Sequence, residues 1–470
     1  MSKVLVVGGG PGGSLAATLL ARAGISVTLL ERETFPRYHV GESLTSSCRV
    51  MMDMAGVLDK VDAMGFTSRR GALLRWGNED WTIDWHELFG PDVRGWQVER
   101  ADFDEVLLRN AREQGAEVIE GAHVKKVVFE GDRPVAVDWV DATTRTPHRV
   151  DDFDYLIDAS GRAGVLSAQH FRDRRAHEIF RNVAVWGYWD GGSLLPETPS
   201  GGLNVVSAPD GWYWVIPLRD EQYSIGFVTH KTRFTELRGQ FSSDEEMLQH
   251  LVQKSDTVRD LLSKGTFLGR ARVEQDYSYV ADSFSGPGYF LVGDAACFLD
   301  PLLSTGVHLA MYSAVLAAAS VIGTASGDIS EAEAQGFYES LFRNAYARLI
   351  VLVSGVYEQY KGKDNYFWLA QRLVREKEKY TRPNGAFAEI SAGLSDLRDA
   401  RDARGTSVMP ELLQEADQAR QRADREAPDG QPNFTALRIE ASDLYDAASG
   451  LYLVTTPSLG VRRASAPARS

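Results

Sequence analysis

The stretch from Val4 to Arg32, VLVVGGGPGGSLAATLLARAGISVTLLER, constrains this chain more than any other part of it. It reads as an apolar strand (Val4 to Val7), a glycine turn, a helix rich in Ala and Leu, and a second apolar strand (Val27 to Leu30) closed by Glu31. Gly8, Gly10 and Gly13 stand at the G-x-G-x-x-G spacing around Pro11. Each glycine has a steric reason: a tight turn, close approach of backbone to a pyrophosphate, and close packing of helix on strand. The helix start aims its free N–H groups at that pyrophosphate, and Glu31 falls where a carboxylate accepts ribose hydroxyls. A glycine turn in an ordinary βαβ unit is the bland alternative. The register of strand, turn, helix, strand and acid speaks for a dinucleotide site.

At 470 residues the chain exceeds one small core, so two or three lobes are expected. A net charge of -14 argues against a nucleic-acid partner and gives an acidic carrier protein no general electrostatic help. With only two cysteines, Cys48 and Cys297, in unrelated contexts, neither a disulfide framework nor a metal site is expected. The apolar start Val4 to Val7 is too short for a signal peptide and the run Leu349 to Val356 too short to span a bilayer, so a cytoplasmic protein without membrane insertion is expected.

Between Arg32 and Ser47 lies an irregular loop, in which Arg37, His39 and Glu42 read individually as surface residues rather than ligands. A helix is expected from Cys48 to Asp62, then a turn and strand over Phe66 to Trp76 and a second strand at Trp81 to Trp85. A further helix runs from Ala101 to Gln114, and Arg100 just before it could hold a polar part of the cofactor or a surface carboxylate. The run DYLIDASGRAG, Asp154 to Gly164, is a buried strand closing on small residues that let backbone approach a ligand. From about 181 to 280 alternating strands rich in Trp, Tyr and Val indicate an inserted antiparallel sheet, with one helix expected over Ser243 to Leu262. Tyr289 to Val292, the turn Gly293-Asp294 and a long apolar helix from Gly306 return to the nucleotide fold. Residues 331–455 read as mostly helical, with Phe337, Tyr338, Leu341, Phe342 and Tyr346 as core; residues 456–470 read as a disordered tail. Tyr188, Trp189, Tyr357 and Phe367 could line an aromatic pocket, though each alone reads as packing.

Taken together, GGGPGG, DASG and GDAA resemble the flavoprotein monooxygenase superfamily of p-hydroxybenzoate hydroxylase over about residues 1–330. This implies an α/β fold: a Rossmann-like FAD-binding domain over 1–330, with the inserted antiparallel sheet as substrate domain and a mostly helical C-terminal domain. Three further stretches, FPRYHVGESL (Phe35 to Leu44), GWYWVIP (Gly211 to Pro217) and GDAACFLDPLLSTGVHLA (Gly293 to Ala310), resemble the motifs of flavin-dependent halogenases, especially those acting on phenolic, pyrrolic or carrier-tethered substrates.

The resemblance implies that Gly8, Gly10, Pro11, Gly13, Glu31, Arg32, Arg100, Gly293, Asp294 and Gly306 hold FAD. Reduced FAD would come from a separate NAD(P)H-dependent flavin reductase and react with oxygen, so that chloride or bromide becomes hypohalous acid. Ser304 and Thr305 would bind halide beside Gly306, while Trp212 and Trp214 would wall the flavin from a small aromatic substrate, free or on a carrier protein. One position departs from the pattern. The family lysine of F-x-x-K-x-G is absent from Phe66 to Gly71, and Arg69 stands in its place. A guanidinium stays charged and can only donate, so Arg69 would orient the oxidant and not form a haloamine. Leu303 also replaces the glutamate of tryptophan halogenases. The competing expectations are a halogenase-like monooxygenase that hydroxylates or oxidises its substrate, a geranylgeranyl-type FAD reductase, and a non-catalytic flavin-binding scaffold.

Overall fold

A computed structural model describes residues 2–77, 79–357, 385–401 and 450–463. The fold is α/β. Strand Lys3–Val7 lies inside a six-stranded sheet, between Tyr155–Asp158 and Ser26–Glu31, and both pairings are parallel. Glu117–Glu120 extends the sheet on one side and Tyr289–Leu291 on the other, again parallel, with Ser285–Gly286 antiparallel at the edge. Such strands are covered on both faces, which is why they read as apolar runs without alternation. Helix Pro11–Arg22 packs between helices Gly306–Ala325 and Arg100–Glu113. Helix Gly306–Ala325 is long and apolar enough to cross a membrane, but 78% of its most apolar window is buried in the fold. It serves as a core helix.

The second sheet has eight strands and is wider than the segment 181–280. Gly71–Trp76 and Glu79–Asp84 form one edge and Cys297–Phe298 the other, so strands from outside that segment complete it. The pairing of Leu203–Ala208 with Gly71–Trp76 is parallel, unlike its neighbours. Period-two alternation sorts its side chains. Tyr213, Val215, Ile225 and Phe227 pack with Met247, Leu248 and Leu251 of helix Asp244–Lys254 in a separate core. Trp186, Trp212, Trp214 and Ile216 face the main core instead.

Several local expectations are corrected. The helix expected over 48–62 is divided into Ser47–Met54 and Leu58–Ala63 by Gly56 at φ 65°, and the one over 243–262 into Asp244–Lys254 and Asp256–Leu261 by the extended Ser255. The strand through 66–76 is split: Thr67–Arg69 joins a three-stranded sheet with Ser43–Leu44 and Gly95–Gln97, whereas Gly71–Trp76 joins the large one. Within the expected disordered tail, Gly460–Arg463 is a strand paired antiparallel with Leu451–Val454, and Val461 is buried. Core contact decided that element, where local composition suggested none. Residues 464–470 lie outside the described residues, as do Phe367 and residues 402–449.

The C-terminal helices are tied to the nucleotide fold by a buried polar chain. Ser47 Oγ meets His308 Nδ1 at 2.8 Å, His308 Nε2 meets Asp396 at 2.8 Å, and Arg348 donates to Asp396. Helix Glu331–Tyr357 holds Phe337, Tyr338, Leu341, Phe342 and Tyr346 buried as expected.

Candidate active site

A cavity of about 700 Å³ runs along the carboxyl ends of the parallel strands and on to the tryptophan face of the large sheet. Its nucleotide end is built by steric exclusion. Gly8 has φ 104°, and a Cβ there would lie 2.2 Å from the Ala159 carbonyl oxygen; a Cβ on Gly13 would lie 1.9 Å from that of Gly8. Gly8, Gly10 and Pro11 line the cavity, while Gly13 supports them from behind. Helix Pro11–Arg22 begins at Gly10 without a side-chain cap, which leaves its first N–H groups for a ligand. Glu31 lines the same end, accepting from Gly9 N at 2.5 Å and Glu33 N at 2.7 Å, so it also braces the glycine turn. Arg32 lines the cavity near its mouth, largely exposed.

Across the cavity, Gly293 and Asp294 end the strand Tyr289–Leu291. Burial raises the Asp294 carboxyl, opposed by Arg162, Arg100 and Arg174. Its backbone oxygen is bonded by Arg174 and Tyr279, which fixes the turn. A glycine cradle, uncapped helix N–H groups and an acid at the second turn fit the pyrophosphate and sugar hydroxyls of FAD.

Arg100 reaches the cavity wall but is committed elsewhere. It forms a bidentate pair with Asp104 at 2.8 and 2.9 Å and donates to the Val40 carbonyl at 2.8 Å. Asp104 is fully buried, so the acid it meets is internal; burial pushes that carboxyl up, yet Arg100 and Arg37 outweigh this and hold it below the ordinary range. The loop 32–47 is thereby pinned to helix Arg100–Glu113. Within it Glu42, expected at the surface, is 3% exposed and lines the cavity. The small sheet formed by Ser43–Leu44 draws the loop inward, which no local pattern announced.

The other end is walled by indoles. Trp212 and Trp214 share one strand face, their ring centroids 6.1 Å apart, and Trp186 lies 6.3 Å from Trp214. Trp214 donates to Ser224 Oγ at 3.1 Å, and Trp212 donates to the Tyr357 hydroxyl. Tyr357 in turn donates at 3.0 Å to Asp300, which also accepts from Asn182 at 2.7 Å. Burial lifts Asp300 to about 6. Opposite the indoles, Pro301–Leu303 makes one tight turn into Ser304 at φ 57°, and helix Gly306–Ala325 starts at Thr305 without a side-chain cap. Ser304, Gly306 and Val307 line the cavity and Thr305 is buried beside them. A left-handed serine costs about 1 kcal/mol, and the helix start offers unpaired N–H groups to an anion.

Arg69 is not brought to the cavity. Its guanidinium, 4% exposed, donates to Ser43 Oγ at 2.8 Å and to the carbonyls of Gly71 and Leu44 at 3.2 and 3.4 Å, and lies over Trp85. Burial pulls it down to about 9, so it stays charged at neutral pH. It reaches the cavity only through Ser43, which lines it.

The tryptophan halogenase family model matches residues 3–95 and 92–398. The chain belongs to the flavin-dependent halogenases. A tryptophan 2-halogenase of Chondromyces crocatus is 43% identical over 408 residues, covering 86% of this chain and 77% of that protein. A flavin-dependent halogenase of Armillaria mellea, armH1, is 37% identical over 389 residues, covering 77% and 73%. Among solved structures, the myxobacterial chondrochloren halogenase CndH is 34% identical with a TM-score of 0.72, covering 85% of this chain and 92% of that one.

The halogenase is thus an enzyme that uses FAD with a halide co-substrate, takes reduced flavin from a separate reductase and acts on an aromatic substrate. Sequence reasoning missed several residues of its site. Glu42, Trp186, Asp300 and Tyr38 gave no signal alone, although Glu42 and Tyr38 lie inside the quoted loop motif and Asp300 inside the last one. Tyr188 belongs to the site through its hydroxyl, whereas Trp189 packs on Phe267 in the other core.

Proposed function

We propose that the halogenase oxidises chloride or bromide beside the helix start at Ser304, Thr305 and Gly306, and passes hypohalous acid behind Trp212 and Trp214 to an electron-rich aromatic, a phenol either free or tethered to a carrier protein. The observation that carries this reading is the double role of Trp212. Its ring lines the flavin cavity, while its N–H reaches Tyr357, whose ring meets Trp76 and Phe180 at centroid distances of 6.2 and 5.3 Å. A flat, electron-rich ring would stack against this aromatic cluster.

Bound reduced FAD would supply two electrons to oxygen, which would then take two more from the halide. Gly8, Gly10, Pro11, Gly13 and Glu31 would hold its pyrophosphate and ribose, with Arg32 at the mouth and Arg100, Gly293 and Asp294 shaping the middle. Uncapped N–H groups and the hydroxyls of Ser304 and Thr305 would hold the halide; the indoles would exclude the organic substrate from the flavin. Arg69 would act as a positioning residue through Ser43, without a haloamine. The halogenating relatives favour neither the hydroxylating nor the isoprenoid-reducing alternative. A cytoplasmic setting is part of the proposal, and two buried free thiols suit a reducing compartment.

The test is turnover with reduced FAD, oxygen, chloride or bromide and a panel of phenols and indoles, free and carrier-bound. Products with halogen isotope patterns from the phenols are expected. Hydroxylated products without halogen, or indoles halogenated in preference, would overturn it.

A further inference from the structure

We infer that His308 is a positioning residue of the halide site: clamped between Ser47 and Asp396, it holds the first turn of the helix whose free N–H groups take the anion. The inference rests on the halogenase reading above, and it makes halide affinity depend on the C-terminal helices.

Helix Gly306–Ala325 opens without the usual fastening. Thr305 gives no side-chain cap, and the helical ladder begins only where Leu309 N donates to the Thr305 carbonyl at 2.9 Å. The N–H groups of Gly306, Val307 and His308 therefore have no partner within the helix. A cap would secure such a turn, but it would also take donors that an anion needs. Another device has to keep the three N–H groups convergent. His308 is the third of those residues, and its side chain is fully buried, outside the cavity lining.

Both of its ring nitrogens are held. Burial pushes the Asp396 carboxyl up, but Arg348 and then His308 outweigh it and keep it below the ordinary range, so Asp396 accepts as a carboxylate. His308 Nε2 donates to it at 2.8 Å, and Nδ1 meets the Ser47 hydroxyl at 2.8 Å, itself 2.9 Å from Thr45 Oγ1. Packing closes round the same ring. The Tyr312 ring lies alongside at a centroid distance of 5.7 Å, and a Cβ on Gly393 would come within 2.5 Å of His308 Nδ1. Three separate elements thus grip one residue of the anion-binding turn. They are the segment carrying Thr45 and Ser47, helix Leu394–Arg401 through Asp396, and helix Glu331–Tyr357 through Arg348, which pairs with both Asp396 and Asp399. Serine, histidine and aspartate in this order elsewhere activate a hydroxyl. Here all three are at most 1% exposed and none lines the cavity, so the arrangement serves position.

The test is chloride dependence, read in two ways on the full chain with FAD bound. In turnover, His308→Phe is expected to raise the chloride KM about tenfold, with the lost rate recovered as chloride is raised, because only binding of the anion is weakened. His308→Gln, which keeps a donor toward Asp396, should fall between wild type and His308→Phe. In the resting enzyme, broadening of the chlorine NMR line by the protein should weaken in the same order. Ser47→Ala should raise the KM in the wild-type background and add nothing in His308→Phe, since both act through one ring. A chloride KM and NMR titration equal to wild type in folded His308→Phe, or in Ser47→Ala where the first variant fails to fold, overturns the proposal. A Ser47→Ala effect that persists in full without the histidine overturns it as well. A wild-type enzyme that binds chloride, with binding weakened in these variants, yet makes no halogenated product overturns the functional reading and leaves the clamp standing.

Discussion

The indole of Trp214 lies directly against the backbone of Gly226 on the neighbouring strand, so that a Cβ at 226 would come within 2.1 Å of Trp214 Cζ2. The strand pair has room for one large ring because its partner has no side chain. Gly226→Val should therefore displace the indole from the cavity wall at an overpacking cost of about 1–3 kcal/mol. The expected outcome is a fall in halogenation of at least tenfold with FAD affinity kept, read by product yield and flavin fluorescence. Retention of full activity would show that the wall does not need Trp214 in place.

The glycine turn allows a paired test. Gly13→Ala places a Cβ 1.9 Å from the Gly8 oxygen, so both thermal stability and FAD binding should fall. At Gly10 the nearest atom to an added Cβ is Arg37 Nη2 at 3.6 Å. Gly10→Ala should leave the melting temperature within about 2 °C while FAD affinity drops at least tenfold, because the new methyl enters only the space of the pyrophosphate. Calorimetry and flavin titration of the two variants check the difference.

Arg69→Lys keeps the charge but not the fork that spans Ser43 and Gly71, nor the stacking on Trp85. A loss of about 1–3 kcal/mol in unfolding free energy is expected, with FAD affinity unchanged and the same halogenated product at a lower rate. Urea unfolding and product analysis decide it. A variant that gains halogenation would instead mean that position 69 reaches the oxidant.

Asp300 carries a pH dependence with a definite sign. Burial lifts it from 3.8 to about 6 in the folded protein. Between those pH values the folded state holds a proton that the unfolded chain has released, so this contribution to stability falls as pH rises and is fully lost above about 6. The whole effect amounts to about 3 kcal/mol. Asp300→Asn removes it, and the stability of the variant relative to wild type should improve by that amount between pH 4 and pH 7 in urea titrations. A constant difference across the range would contradict the assignment.

The sequence by itself determined the nucleotide half. Gly8, Gly13, Glu31 and the apolar strands beside them are legible because turn geometry, backbone approach and burial act over a few neighbouring residues and leave a local pattern. The tryptophan pair and the Ser304–Gly306 segment stood out only through resemblance to a family's motifs, and Trp212, Trp214, Ser304 and Gly306 line the cavity. The tertiary structure alone decided the rest. Glu42 read as a surface acid until the short sheet with Gly95–Gln97 drew its loop inward; Tyr38 and Tyr188 became one hydrogen-bonded line only when that loop met the large sheet. Arg69 stood at a catalytic position in sequence and turned to Ser43 and Trp85 in space. The physical reason is one of range: backbone propensity and periodicity write themselves into adjacent residues, whereas a side chain's burial, partner and charge state are set by elements as far as a hundred or more positions away.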